Sequence, residues 1–290
     1  MAASDPFTWI ITGATRGFGR AIAEVALGRG DSIVAAVRRP AAMQDLVDRH
    51  PHSLEVVEFD ARDVGGVPRV VDAAAARFGR VDVLVNNAGR GYVGAAEEVG
   101  EDQLRESLAL HLFVPAALVR AVMPTMRAQG AGTIVQMSSQ GGRFAFPGVG
   151  AYCAGKFALE GWSEALAGEV APFGIRVMLV EPSRFRTAFN RKDVLAIADV
   201  DDTYRDALAA VRAGLVGADG AQEGDPEKAA AIIVKLAHGD EVPLRLPLGA
   251  EAVQRIGASY RAGLTSLAQW ADVARGSDFA EAVVPVDRPI

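Results

Sequence analysis

The stretch FTWIITGATRGFGRAIAEVALGRG, residues 7–30, carries the reading of the fold. Its first six residues, FTWIIT, are apolar with little polar alternation, as in a strand buried on both faces. A helix is expected over 17–29, with Ile22, Val25 and Ala26 on its apolar face and Gly30 as its C-terminal stop. Between them lies TGATRGFG (12–19), where Gly13, Gly17 and Gly19 are spaced G-x-x-x-G-x-G. Glycines there let the backbone turn sharply, approach a phosphate and bring strand and helix together. A helix N-terminus offers free N–H groups and a positive dipole end to a pyrophosphate. The triplet alone is weak; its place after a first strand, opening a helix, gives it weight.

Working outward, similar runs recur at 32–37, 54–59, 81–86, 132–137 and 175–180. Segments with helical spacing separate them at 63–78, 101–128 and 150–172. Strand and helix in alternation predict βαβ units, hence an α/β parallel sheet with helices on both faces. Beyond 182 the pattern changes. Residues 183–224 are rich in Ala and Asp and include GLVGADGAQEG, read as flexible. Asp225 and Pro226 open a helix that closes near Gly239. PLRLPLG (243–249) is expected as an edge strand, because its prolines exclude a central one. Residues 250–271 read as helix and 276–290 as a loosely held tail. No linker divides the chain, so 1–290 is read as one domain: a core over about 7–190, a substrate-covering segment over about 183–224 and a C-terminal extension over about 250–290.

Half of the 290 residues are apolar, 23% are charged and the net charge is −6. No basic surface is expected that would grip nucleic acid. The single cysteine, Cys153, excludes an internal disulfide and fits a cytoplasmic location. The opening MAASDPFTWIITG has no basic leader before an apolar run, so no signal peptide is expected, and no apolar run is long enough to predict a membrane span. His50, His52 and His238 sit in polar, surface-like contexts without metal-ligand spacing, and no metal is expected.

An acidic residue about twenty positions past such a glycine turn would bind the ribose hydroxyl of NAD. Here the second strand ends instead in Arg38 and Arg39, and Arg16 sits in the turn. Guanidinium groups match a phosphate, which favours NADP(H) while leaving NAD(H) possible. In AYCAGK (151–156), Tyr152 and Lys156 are four apart and share a helix face. A phenol with a pKa of about 10 is a poor base at neutral pH. A nearby ammonium is expected to lower that value and let Tyr152 exchange a proton.

TGATRGFG, NNAG (86–89), Ser139 and Tyr152-x-x-x-Lys156 occur in the order and spacing of the short-chain dehydrogenases/reductases (SDR), and over residues 7–190 the chain resembles that family. The resemblance implies a Rossmann-type doubly wound parallel sheet of about seven strands, with a helical C-terminal elaboration. It implies a nicotinamide cofactor and reversible interconversion of an alcohol and a carbonyl. By resemblance, Gly13, Thr15, Arg16, Gly17, Phe18, Gly19 and Arg38 hold the cofactor. So do Asp60 at its adenine, Asn87, Ala88 and Gly89 along it, and Lys156 at its ribose. Ser139 binds the substrate oxygen, with Ser138 as its support. Pro182 and Thr187 in EPSRFRT match the family's PGxxxT, with Ser183 in place of glycine. His111 falls where the family often has a proton-relay asparagine; it is either an altered relay or a core histidine.

Phe185, Phe189, Leu195, Ile197 and Tyr204, faced by Phe144 and Phe146, would line an apolar pocket for a moderately hydrophobic ketone or secondary alcohol. Helices 101–128 and 150–172 are the family's usual subunit contacts, implying a homodimer or homotetramer. The competing readings are a nicotinamide-sensing regulator without turnover and an isomerase or dehydratase on the same scaffold.

Overall fold

The computed structural model describes residues 6–191, 193–279 and 282. The runs of Val, Ile and Ala become strands because burial on both faces suits them: β1 (Thr8–Thr12) and β4 (Val83–Asn86) are buried along their whole length. With β2 (Ser32–Val37), β3 (Leu54–Glu58), β6 (Gly132–Met137), β7 (Ile175–Pro182) and β9 (Arg245–Leu248) they form one seven-stranded sheet. Its order is β3-β2-β1-β4-β6-β7-β9, and every pairing is parallel. The order reverses beside β1, so the ends of β1 and β4 open a crevice where a doubly wound sheet binds its ligand. The proline-containing β9 takes the edge beside β7, as its composition requires.

Two apolar clusters lie against the sheet's faces. One packs β1 and β2 against α1 (Gly17–Gly28) and α8 (Pro226–Ala237), through Ile22, Ala26, Ala230 and Ile233. The other packs α3 (Val67–Phe78) and α5 (Val114–Gln129) on the opposite face, through Val70, Leu118, Val122 and Met126. Short α2 (Gln44–Arg49) connects β2 to β3. Asp225 caps α8 by accepting from the N–H groups of Glu227 and Lys228, with Pro226 at the first helical position.

Several elements differ from expectation. The helical run 101–128 is α4 (Glu101–Leu108), a π-helical turn (Ala109–Phe113) and α5. Pro115, just past the wide turn, has no N–H to continue an α-helical ladder there. The run Glu101–Gln129 is long and apolar enough to span a bilayer: an 18-residue window within it has mean hydropathy 1.6, and half of that window is buried inside the protein. Part of its apolar surface, through Leu110, Val114, Leu118, Val122 and Met126, faces the core, while Leu104 and Phe113 stay exposed. Segment 183–224 is not all loop: α7 (Asp202–Val216) forms there, capped by Asp201. A two-stranded sheet pairs β5 (Tyr92–Val93) with β8 (Ala196–Ile197) and pins the segment beside the crevice.

α6 (Gly150–Val170) carries the tyrosine and lysine, and α9 (Ala250–Arg275) extends past the expected end of the last helix. His238 is not surface-like. Its ring stacks on Phe7 at 4.1 Å and its Nε2 lies 2.7 Å from the Asp31 carboxylate, which also accepts from Phe7 N and Trp9 Nε1. A buried acid held this way pins α8 to β1. The expected loose tail falls largely on 280, 281 and 283–290, and the expected absence of a leader falls partly on 1–5; both sets lie outside the described residues.

Candidate active site

The glycine turn is a close-packed joint. Gly13 and Gly17 have φ of +70° and +58°, a region that favours glycine. A Cβ on Gly19 would stand 2.4 Å from Asn87 Nδ2 and 2.6 Å from the Gly13 carbonyl. Thr12 ties the turn to the NNAG segment: its Oγ1 accepts from the N–H groups of Asn87 and Ala88 at 2.9 and 3.0 Å. Asn87 Nδ2 in turn donates to the Thr12 carbonyl at 2.8 Å. Asn86 points the other way and donates to Gln136 Oε1, bracing β4 to β6. No side chain among the described residues caps α1, so its first N–H groups face the crevice. This backbone cradle fits a dinucleotide's phosphates.

Around it is a cleft of about 660 Å³, lined by Gly13, Thr15, Arg16, Gly17, Phe18, Arg38, Asp60, Asn87, Ala88 and Gly89 at one end. Pro182 and Thr187 line it further along, and Ser139, Tyr152, Lys156 and His111 join them. All the cofactor-binding and catalytic residues expected from the sequence, except Gly19, therefore border one space; Gly19 sits beneath it as the packing joint. Arg38 is exposed at the cleft. Arg16 is already engaged: its Nη1 lies 2.8 Å from Asp193 Oδ2, across the cleft. Asp60 is paired with Arg62, which holds its carboxyl below the usual range. Ser183, where the family has glycine, turns its hydroxyl toward the Leu248 carbonyl (3.3 Å). Gly249, at φ +89°, leaves the room for it; a Cβ there would meet Ser183 Oγ at 2.4 Å.

At the catalytic end, Ser139 Oγ accepts from Gly141 N at 3.0 Å. A Cβ on Gly141 would touch the Tyr152 ring, Ser139 Oγ and Cys153 Sγ at 3.3–3.5 Å, so the three meet at one point. Ser138 Oγ is buried with no partner among the described residues. Lys156 is buried and donates from Nζ to the Met137 carbonyl at 2.7 Å, with the ammonium 5.7 Å from the Tyr152 ring centroid. The expected acidified phenol is not found. Burial pushes Tyr152 up to about 12, against a smaller downward pull from Ser139. Burial pushes Lys156 down to about 7, partly offset by Glu160. Desolvation thus governs both groups, and Lys156 Nζ donates to a carbonyl rather than to the phenol.

His111 sits within the π turn, buried, its ring edge-on to Tyr152 at 5.4 Å. Ser107 Oγ donates its one proton to the Ala151 carbonyl at 2.9 Å. The 3.3 Å contact from His111 Nδ1 to Ser107 Oγ therefore needs the proton on Nδ1. That assignment, made from the hydrogen-bond pattern, leaves Nε2 as an acceptor, buried and unpartnered among the described residues. Burial first, and the Lys156 charge second, push the imidazole well below its usual range, so it is neutral. Gly155 makes the room: a Cβ there would press on His111 at 3.0 Å.

On the substrate side, Phe146, Val149, Phe189, Leu195, Val211 and Leu215 line the cleft. Phe185 borders it but is buried in the core against Phe18. Phe144, Ile197 and Tyr204, expected there, lie outside the lining; Phe144 backs Phe146 at 6.2 Å, and Ile197 faces solvent. Four arginines of the lining, Arg62, Arg90, Arg184 and Arg255, were missed. Arg90, next after NNAG, has a buried Nε without a partner among the described residues. Arg255 reaches the cleft from α9. Arg90's adjacency to the motif was a usable signal; Arg255 had none.

The chain belongs to the short-chain dehydrogenase family, whose profile matches residues 8–196, and it is an oxidoreductase of that family. It is 35% identical over 270 residues to the oxidoreductase BOA17 of Botryotinia fuckeliana, covering 93% of this chain and 98% of that one. It is 32% identical over 247 residues to a 3-ketodihydrosphingosine reductase of Bacteroides thetaiotaomicron, covering 84% and 88%. Among solved structures it is similar to a short-chain dehydrogenase from Streptomyces avermitilis, with a TM-score of 0.89, 44% identity and coverage of 95% and 100%.

Proposed function

We propose that the chain interconverts a carbonyl and a secondary alcohol on a moderately hydrophobic small molecule, with NADP(H) preferred over NAD(H). One observation carries this reading: Ser139, Tyr152, Lys156 and His111 meet in the same cleft as the glycine cradle and Arg38. Gly13, Thr15, Gly17, Phe18 and Gly19 would form the phosphate cradle, with Arg16 beside it and Arg38 for the additional phosphate of NADP. Asp60 would take the adenine end, and Asn87, Ala88, Gly89, Pro182 and Thr187 the rest. Bound there, the nicotinamide gives or takes the hydride.

Ser139 hydrogen-bonds the substrate oxygen and steadies the charge that develops on it. Tyr152, with its pKa held up to about 12, is a protonated phenol at neutral pH and acts as the acid in the reducing direction. Lys156 stands beneath its ring and, when protonated, favours the phenolate that forms. His111 offers a neutral acceptor at Nε2, the reverse polarity of an amide N–H. A water donating to Nε2 would complete a proton path toward Lys156, so His111 replaces the family's asparagine with an altered relay.

The cytoplasm is the proposed location, supported by one buried cysteine. A homodimer or homotetramer through α4, α5 and α6 is supported by Leu104, Phe113 and Phe157, which are 38–52% exposed on those helices.

The test is a panel of ketones and secondary alcohols followed at the nicotinamide absorbance with both cofactors. Turnover with a preference for NADP(H) is expected. Binding of NADPH without turnover of any member would favour the regulator, and conversion without net cofactor consumption would favour an isomerase.

A further inference from the structure

The first turns of α9 fold back over the catalytic loop. Gly249, at φ +89°, starts the reversal, and Ala252 and Ile256, 0% and 4% exposed, anchor the helix. Between these anchors Arg255 projects into the cleft. Its guanidinium carbon lies 4.6 Å from the Phe144 ring centroid and 5.5 Å from that of Phe146, so the two rings hold the planar group in place. Phe146 packs against the apolar cluster of Val93, Val149, Cys153 and Leu195, the same cluster that Tyr152 packs against. Among the described residues its one hydrogen bond is Nη1 to Glu251 Oε1 at 2.9 Å. Glu251 also lies 3.9 Å from Arg184, which leaves two cations for one carboxylate at this rim. Oriented N–H groups thus remain at the rim of the cleft, beside the apolar wall of Phe146, Val149, Leu195 and Leu215. A pocket fixes its ligand through such a polar group, and a guanidinium fork fits a carboxylate.

We propose that Arg255 is an anion-recognising anchor of the substrate pocket, and that the substrates are ketones, or the matching secondary alcohols, carrying a carboxylate at the far end of an apolar chain. The proposal rests on the dehydrogenase reading above and adds the substrate's charge and polarity to it.

The test compares a medium-chain oxo acid, oxononanoate with its ketone at the penultimate carbon, with its uncharged methyl ester. Wild type should show the higher kcat/KM for the acid. Arg255→Ala should lower the acid-to-ester ratio by roughly tenfold to a hundredfold, the scale of a charge-assisted hydrogen bond. Arg255→Lys should recover part of it, since the charge remains and the fork is lost. Glu251→Gln should raise it by freeing the guanidinium. An acid-to-ester ratio that is the same in wild type and Arg255→Ala overturns the proposal; if that variant does not fold, Arg255→Lys and Glu251→Gln decide by the same ratio. Calorimetric titration with octanoate, against octanol, separates the two levels of inference. Octanoate binding that Arg255→Lys weakens, in a protein that reduces no ketone, sinks the dehydrogenase reading but keeps the anion site. Ketone reduction with no preference for the acid and no octanoate binding does the opposite.

Discussion

The two ends of the cleft are built by different means. At the cofactor end the contacts are mostly backbone: glycines at positive φ, a threonine and an asparagine tying turn to strand, and helix N–H groups left open. At the substrate end they are side chains from β5, α6, the 183–224 segment and α9, brought together from far along the chain. Backbone geometry tolerates almost no change, whereas side-chain walls can be exchanged while the volume is kept.

The largest effect is expected where the two ends meet. Tyr152→Phe removes the transferable proton and should lower kcat by about a hundredfold to ten-thousandfold while NADPH still binds; titration calorimetry beside the rate assay checks both, and retained turnover would remove Tyr152 from its role. Next, Arg38→Asp places a carboxylate where the additional phosphate should lie. It should shift the NADPH-to-NADH ratio of kcat/KM by roughly tenfold or more, as a lost charge-assisted bond would, and an unmoved ratio breaks the assignment.

A matched pair then sharpens the contrast. Gly19→Ala should cost about 1–3 kcal/mol in chemical denaturation, as overpacking does, and weaken both cofactors, because its Cβ falls on Asn87 and the Gly13 carbonyl. Leu215→Ala, across the cleft, should chiefly raise KM for bulky ketones. Equal effects on cofactor affinity would erase the distinction.

The smallest expected effect is on the pH dependence of stability, which two buried groups push in opposite senses. Lys156 is held near 7 in the folded chain against 10.5 ordinarily. Between those values the unfolded chain keeps a proton that the folded one has released, so stability rises with pH there, and Lys156→Met should flatten the rise. Glu181 lies buried with Glu160, among Arg143, Arg245 and Glu164. Burial and then the Glu160 charge push it up from 4.5 to about 7. There the folded chain keeps the extra proton, so stability falls as pH climbs through that window, and Glu181→Gln should remove the fall. Denaturant midpoints across pH check both signs.

The sheet was legible because double burial leaves a local mark. SIVAAV and GTIVQM announce themselves, and PLRLPLG declares an edge through its prolines. The cofactor end was legible for the same reason: a glycine's freedom is written at its own position. Other features leave no such mark. α7 buries only Leu208 fully, so its apolar period is faint, and strands of two residues have no period at all. A π turn depends on hydrogen bonds a residue pattern does not encode. Asp31 and His238 are 207 residues apart and meet only in the fold. The tyrosine–lysine spacing gave the right neighbours but the wrong balance of energies, because it cannot show that Lys156 would turn to Met137. Arg255 became visible only once α9 was seen to reverse over the cleft.

The contact between Arg16 and Asp193 joins residues 177 positions apart across the mouth of the cleft, and both side chains are partly exposed. Exposed pairs of this kind are worth about 1 kcal/mol or less. An incoming phosphate can therefore compete for Arg16, while Asp193 would keep Arg191, whose Nε lies 3.3 Å away, as its cation. The mouth of the cleft is thus tied by a link weak enough for an anion to displace, while the β5–β8 ladder keeps the segment itself in place.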